Sequence, residues 1–148
     1  MIEATLERMV GWMKDVTRRV ERLEAEETPR RFVPLITPAT STAFDGDLYD
    51  VDNDGTTIDL SASFGIPAGV KAVTISISGR CPTVGKRFRI GPSATYGYAL
   101  AIHSVVANQW IDNSGVVPCD ANGDIYFTTD AVHGAEFGIY MRIWGYWI

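Results

Sequence analysis

Two cysteines and two histidines are all that the 148 residues offer for thiol or imidazole chemistry. Cys81 and Cys119 have no second cysteine at metal-motif spacing, which excludes zinc-finger and Cys-x-x-Cys redox sites. They either form a disulfide or stay as reduced buried thiols, as a cytosol would favour. His103 falls among the small residues Gly97, Ala99 and Ala101, and His133 sits in an expected turn. Neither has a partner at ligand spacing. Catalytic signatures are equally scarce. The chain has no His-Glu-x-x-His, no phosphate-cradling glycine loop, no nucleophile elbow and no plausible Cys/His pair. Nothing selects two of the scattered carboxylates as a glycosidase pair. The sequence therefore reads as a protein without enzyme activity.

Long hydrophobic runs are missing too. No stretch approaches the roughly 18 to 20 consecutive apolar residues of a membrane span, so no membrane partner is expected. Glu3, Glu7 and Arg8 interrupt the apolar pattern near the N-terminus, unlike a secretory signal. Basic charge is not in excess: the net charge is −5. Acidic and basic side chains balance over residues 1–31, so the negative excess lies in the remainder. A mildly acidic body without a basic stripe excludes a nucleic-acid partner. Hydrophobic residues at 46% and aromatics at 11% fit a packed domain rather than a disordered chain.

What is present begins with Ile2, Leu6, Met9, Met13, Val16, Val20 and Leu23, spaced alternately by four and three residues. That is the a/d alternation of a heptad, with Leu6, Met13 and Val20 at a and Met9, Val16 and Leu23 at d. The b, c and f positions are mostly charged. Val10 at e and Trp12 at g widen the seam, which favours more than two helices. The segment Arg19-Val20-Glu21-Arg22-Leu23-Glu24 resembles the trimerisation motif of short parallel coiled coils. Arg19 at g would meet Glu24 at e of a neighbour while its stem covers Val20 and Leu23. A homotrimer is the expectation; a dimer, or a single helix folded on its own domain, are the alternatives. A helix of about 26 residues is roughly 39 Å long, and Pro29 ends it.

Residues 29–55 read as an extended linker and acidic loop, with Phe32–Ile36 as a connector or edge strand. Beyond Thr56 the period is two. Ile58, Leu60, Ala62 and Phe64 alternate with polar residues, as do Val73, Ile75 and Ile77. Further strands are expected near 87–90, 96–106, 109–112, 116–119, 124–129 and 136–147. Turn signals separate many of them, among them Asn113-Ser114-Gly115 and Asp120-Ala121-Asn122-Gly123. The expected fold is mainly β: a trimeric coiled-coil stalk over 1–28, then an antiparallel, jelly-roll-like β-sandwich over 56–148.

Three groups of residues are candidates for sites. In the terminal strand Phe137, Ile139, Met141, Ile143 and Trp147 share one face, and Tyr140, Arg142, Trp144 and Tyr146 share the other. The second row has the composition of an interface hot spot. It is buried between subunits, covered by its own domain, or exposed as a stacking platform for sugars or a partner protein. Asp50, Asp52 and Asp54 followed by Gly55 match the first half of a calcium loop. Ser61 stands where a bidentate Glu would be expected, so a solvated turn competes with a Ca²⁺ site completed by distant ligands. No other cofactor is implied. Lys86, Arg87 and Arg89 form a short basic strand that pairs with nearby aspartates or docks on an acidic surface.

The stretches Thr57–Leu60 and Gly65–Val73, the turn Asp120–Tyr126 and the ending Trp144-Gly145-Tyr146-Trp147 resemble segments of small bacteriophage virion proteins. The group is that of tail-fibre, head-fibre and capsid-decoration proteins, where a short coiled coil precedes a trimeric β-sandwich. The resemblance implies a structural or adhesive role on a virus particle assembled in a host cytoplasm and released by lysis. Its partners would be further copies of itself and other virion proteins. The alternative it implies is a receptor-recognition module that binds cell-surface glycan.

Overall fold

Apolar spacing in this chain generates one long helix and two antiparallel sheets. The computed structural model describes residues 2–26, 30–49, 53–95, 99–130 and 136–148. It divides into two units, Met1–Arg31 and Phe32–Ile148. In the first, the heptad segment forms α1 (Ile2–Glu26). Its seam lies open: Met9, Met13, Val16 and Val20 are 59%, 60%, 37% and 45% exposed. Trp12 is exposed as well.

The second unit runs β1 (Phe32–Tyr49), β2 (Asn53–Ile58), α2 (Leu60–Phe64), β3 (Ala72–Arg80), β4 (Arg87–Gly91), β5 (Leu100–His103), β6 (Ile111–Pro118), β7 (Ile125–Thr129) and β8 (Phe137–Trp147). One sheet has the order β1-β8-β3-β6 and the other β2-β7-β4-β5. Every connection except β4–β5 passes from one sheet to the other, which is the winding of a jelly roll. Along β3, Val73, Ile75 and Ile77 are buried while Thr74, Ser76 and Ser78 face outward. From β8, Phe137, Ile139, Met141 and Ile143 meet them. Phe88, Ile90, Ile125 and Phe127 close the core from the second sheet. Phe127 stacks on Phe88 and meets Phe44 edge-on, each with ring centroids 5.5 Å apart. Each such side chain contributes about 1.5–3 kcal/mol of burial.

Several local expectations are corrected. Phe32–Ile36, read as a connector or edge strand, open the edge strand β1, and residues 37–49, expected as linker and acidic loop, continue it, paired with β8 from Phe32↔Trp147 to Tyr49↔Phe137. Three register shifts interrupt that ladder, which explains why no strand period shows in the sequence. The strand expected through Phe64 stops at Ile58. Asp59 then caps α2, its Oδ1 accepting the Ala62 N–H at 2.9 Å, and Gly65 ends the helix at φ 67°. Leu60 and Phe64 are both buried because i and i+4 share a helical face. The expected turn at Asn113-Ser114-Gly115 lies inside β6, where it pairs with Ile75–Ile77. The Asp120–Gly123 turn is present. Asp120 Oδ1 accepts the N–H groups of Asn122 and Asp124, each at 2.9 Å.

Candidate functional site

Side chains on the outer face of the first sheet follow from its register. Across β1, β8 and β3, Leu48 stands beside Gly138 and Arg80, Asp45 beside Tyr140 and Ser78, and Thr40 beside Arg142 and Ser76. On β6, Asp112 lies opposite Ser78 and accepts its hydroxyl hydrogen bond. Trp110, just before β6, stacks against this face: its ring centroid is 5.3 Å from that of Tyr140. The Arg80 guanidinium lies 5.0 Å over Trp110, and that of Arg142 lies 5.7 Å over Tyr140. The four side chains form a cation–aromatic stack along the sheet.

A bulge corrects the expected aromatic row. Thr74 faces Gly145 while Ile75 faces Ile143, so Trp144 is an extra residue on β8. Its indole Nε1 donates to Ser76 Oγ at 3.0 Å, and the ring is 43% exposed. Beyond the bulge the faces exchange. Tyr146, expected outside, sits opposite buried Val73 and packs against the core. Trp147, expected inside, lies 4.6 Å from Phe32 by ring centroid, opposite Ala72. Of the expected row, Tyr140, Arg142 and Trp144 stay together on the outer face. Trp110 and Arg80 join them unforeseen. Their signal was available in part, since continuing the β3 alternation places Arg80 outward with Ser78.

Beside this stack is a cleft of about 250 Å³ lined by Leu48, Arg80, Pro82, Asn108, Glu136 and Gly138. Asn108 holds a left-handed backbone, φ 59°, with its N–H donated to Cys81 O at 2.8 Å. Asparagine tolerates that conformation better than most residues.

The remaining candidates fall elsewhere. Asp50 and Asp52 lie outside the described residues, and of Asp54 only the backbone, in β2, is described. Among the described residues no cluster of His, Cys, Asp or Glu could hold a metal ion. Arg87 Nε meets Asp130 Oδ2 at 2.8 Å, and the Arg89 guanidinium meets the other oxygen of the same carboxylate. The basic strand is thus paired with an aspartate through two of its three cations. His103 is exposed at the end of β5, and His133 lies outside the described residues. On α1, Arg19 is exposed, and the side chains of Leu6, Leu23 and Glu24 lie outside the described set. No disulfide joins Cys81 and Cys119 among the described residues. Burial, with Asp120 and Asp124 nearby, pushes the Cys119 thiol up to about 12. Burial would raise the Asp120 carboxyl, but donation from Asp124, Asn122, the Tyr126 hydroxyl and Gly123 holds it below its usual value. Its role is to pin a turn.

Comparison with protein-family models found no match, and comparison with curated proteins found none either. Among solved structures, the chain is similar to the C-terminal CBM6 of LamC, a marine laminarinase from Zobellia galactanivorans. The TM-score is 0.38 at 14% identity, over 77% of this chain and 99% of that one. It is also similar to the C-terminal domain of EclA, a sugar-binding protein, with a TM-score of 0.38 at 15% identity, over 78% of this chain and 79% of that one. Neither likeness assigns this chain a family or a function.

Proposed function

We propose that this chain is a homotrimeric adhesive component of a virus particle, a short fibre or decoration protein in which α1 joins three copies and the jelly roll forms the body. The observation that carries the reading is the open seam on α1, where Met9, Met13, Val16 and Val20 repeat at heptad spacing and stay exposed. A lone helix of this length is marginal in water. Burying each of these side chains against other copies contributes about 1.5–3 kcal/mol. Three copies, rather than two, are favoured by the Arg19–Glu24 motif and by Val10 and Trp12 flanking the seam. Resemblance to small phage virion proteins supports the particle, with assembly in the host cytoplasm and release by lysis. Labelling tests it: antibody against the chain binds particles recovered from lysed host cells. Antigen confined to the soluble fraction contradicts it.

A second reading, recognition of cell-surface glycan, is favoured by one observation. The outer face of the first sheet exposes Trp110 and Trp144, 42% and 43% respectively, beside hydrogen-bonding Ser76, Ser78 and Asp112. Three copies of a weak site on one stalk would gain avidity through effective concentration. Glycan-array binding that is lost in Trp144→Ala, with the oligomer intact, supports this reading.

A further inference from the structure

Gly138 opens a slot in the sheet face. Its neighbours across the two flanking ladders are Leu48 on β1 and Arg80 on β3, so the slot has a wall on each side. A Cβ placed on Gly138 would lie 3.5 Å from Leu48 Cδ2, 3.9 Å from Arg80 Cγ and 3.9 Å from Trp110 Cη2. Those are ordinary contact distances, so the walls stand apart by the thickness of an inserted group and have not collapsed on each other. The cleft of about 250 Å³ extends from this floor to Pro82, Asn108 and Glu136. Clefts for drug-sized ligands hold roughly 300–1,000 Å³, so this one admits a single small ring.

Its lining chooses the ring. Leu48, Pro82, the Arg80 stem and the Trp110 edge are apolar surfaces for a ring's faces. Around them, Arg80 only donates, a Glu136 carboxylate only accepts, and Asn108 does both. One cation and one anion together give no preference for a charged ligand. What they match is a neutral ring with apolar C–H faces and a rim of hydroxyls that each donate and accept. The site is also held in shape before any ligand arrives. Arg80 is stacked on Trp110, and Asn108 is fixed by its bond to Cys81 O.

We propose that the Gly138 cleft binds one neutral hexopyranose unit. This rests on the glycan-recognition reading above and adds to it one sugar subsite, with a ligand class, at the Trp110 end of that face. The test titrates the full-length protein with the methyl α- and β-pyranosides of glucose, galactose, mannose and N-acetylglucosamine, following backbone amides and the Trp110 and Trp144 indoles by NMR. At least one pyranoside shifts Gly138, Asn108 and Trp110 with a dissociation constant of about millimolar order. Methyl glucuronide does not bind better than its neutral counterpart. Gly138→Val fills the slot and weakens binding about tenfold or more, and exposed Glu136→Gln weakens it without endangering the fold. Lys71→Ala, remote on the far end of the sheet, leaves it unchanged. The inference is overturned if no pyranoside of the set shifts these signals, or if binding survives both Gly138→Val and Glu136→Gln. It is also overturned if Gly138→Val lowers the oligomer mass, since the slot then holds a neighbouring subunit. Pyranoside shifts confined to the Trp144 indole and Ser76 would overturn this subsite and leave glycan recognition standing. Glycan-array binding that is absent altogether would instead overturn the reading it rests on.

Discussion

Trp144 Nε1 donates a 3.0 Å hydrogen bond to Ser76 Oγ across the β8–β3 ladder, at the one place where that ladder loses register. The bond ties an extra residue to the outer face and lets the strand after it turn over. Tyr146 therefore packs on the core and Trp147 meets Phe32 outside. Replacing Trp144 by alanine removes one exposed hydrogen bond and should cost about 0.5–1.5 kcal/mol in a denaturant melt. Deleting Trp144 should remove the bulge and leave Tyr146 on the core and Trp147 outside, because Gly145 opposite Thr74 then follows Ile143 opposite Ile75 in plain alternation.

Two glycines on the first sheet should respond oppositely to the same methyl group. Gly79 faces inward, where a Cβ would lie 2.9 Å from both Ile139 Cδ1 and Phe137 Cε1 and closer still to Ile102 Cδ1. Gly79→Ala should destabilise by about 1–3 kcal/mol through overpacking. Gly138 faces outward and would meet nothing nearer than 3.5 Å. Gly138→Ala should leave the melting midpoint within a degree or so of the parent, since ordinary contacts add no strain. Paired thermal melts check both.

Asp130 holds two arginines, of which Arg89 is the buried one, with 10% of its side chain exposed. Asp130→Ala leaves that guanidinium without its carboxylate. The loss should be about 3 kcal/mol, at the low end for a broken buried pair because Asp130 itself is partly exposed. Arg87→Ala, which breaks the more exposed half, should cost about 1 kcal/mol or less. Equilibrium unfolding of both variants separates the two halves.

Cys119 should be slow toward thiol reagents at neutral pH, because burial pushes its thiol up to about 12 and only the thiolate attacks. The same shift predicts an alkaline effect. The unfolded thiol loses its proton near 9.0 while the folded one keeps it. Below that pH the group contributes no pH dependence; from there toward 12 stability falls as pH rises. Cys119→Ala should flatten this part of the stability profile, measured by denaturant melts on the alkaline side.

The sequence made the layout of the sheets legible wherever one strand face is buried and the other wet, as in β3, β7 and most of β8. It misled where a second period fits the same residues. Leu60 and Phe64 satisfy both i, i+2, i+4 of a strand and i, i+4 of a helix; the capping carboxylate of Asp59 and the left-handed Gly65 decide for the helix. It also misled at Asn113-Ser114-Gly115, whose turn chemistry is overridden by pairing along the whole of β6. Of the outer face, Tyr140, Arg142 and Trp144 could be read from alternation. The Tyr146–Trp147 exchange could not, because a bulge leaves no residue signature here. The cleft was invisible for another reason: Leu48, Asn108 and Gly138 meet only through strand order, and a glycine between two walls has no side chain to announce it.

Sedimentation equilibrium of the full chain at micromolar concentration tests the central claim most directly. A single species of three times the 16.3 kDa chain mass is expected, and Met13→Asp with Val16→Asp should convert it to the single-chain mass while the jelly roll keeps its melting transition. A parent protein that sediments as one chain would contradict the account.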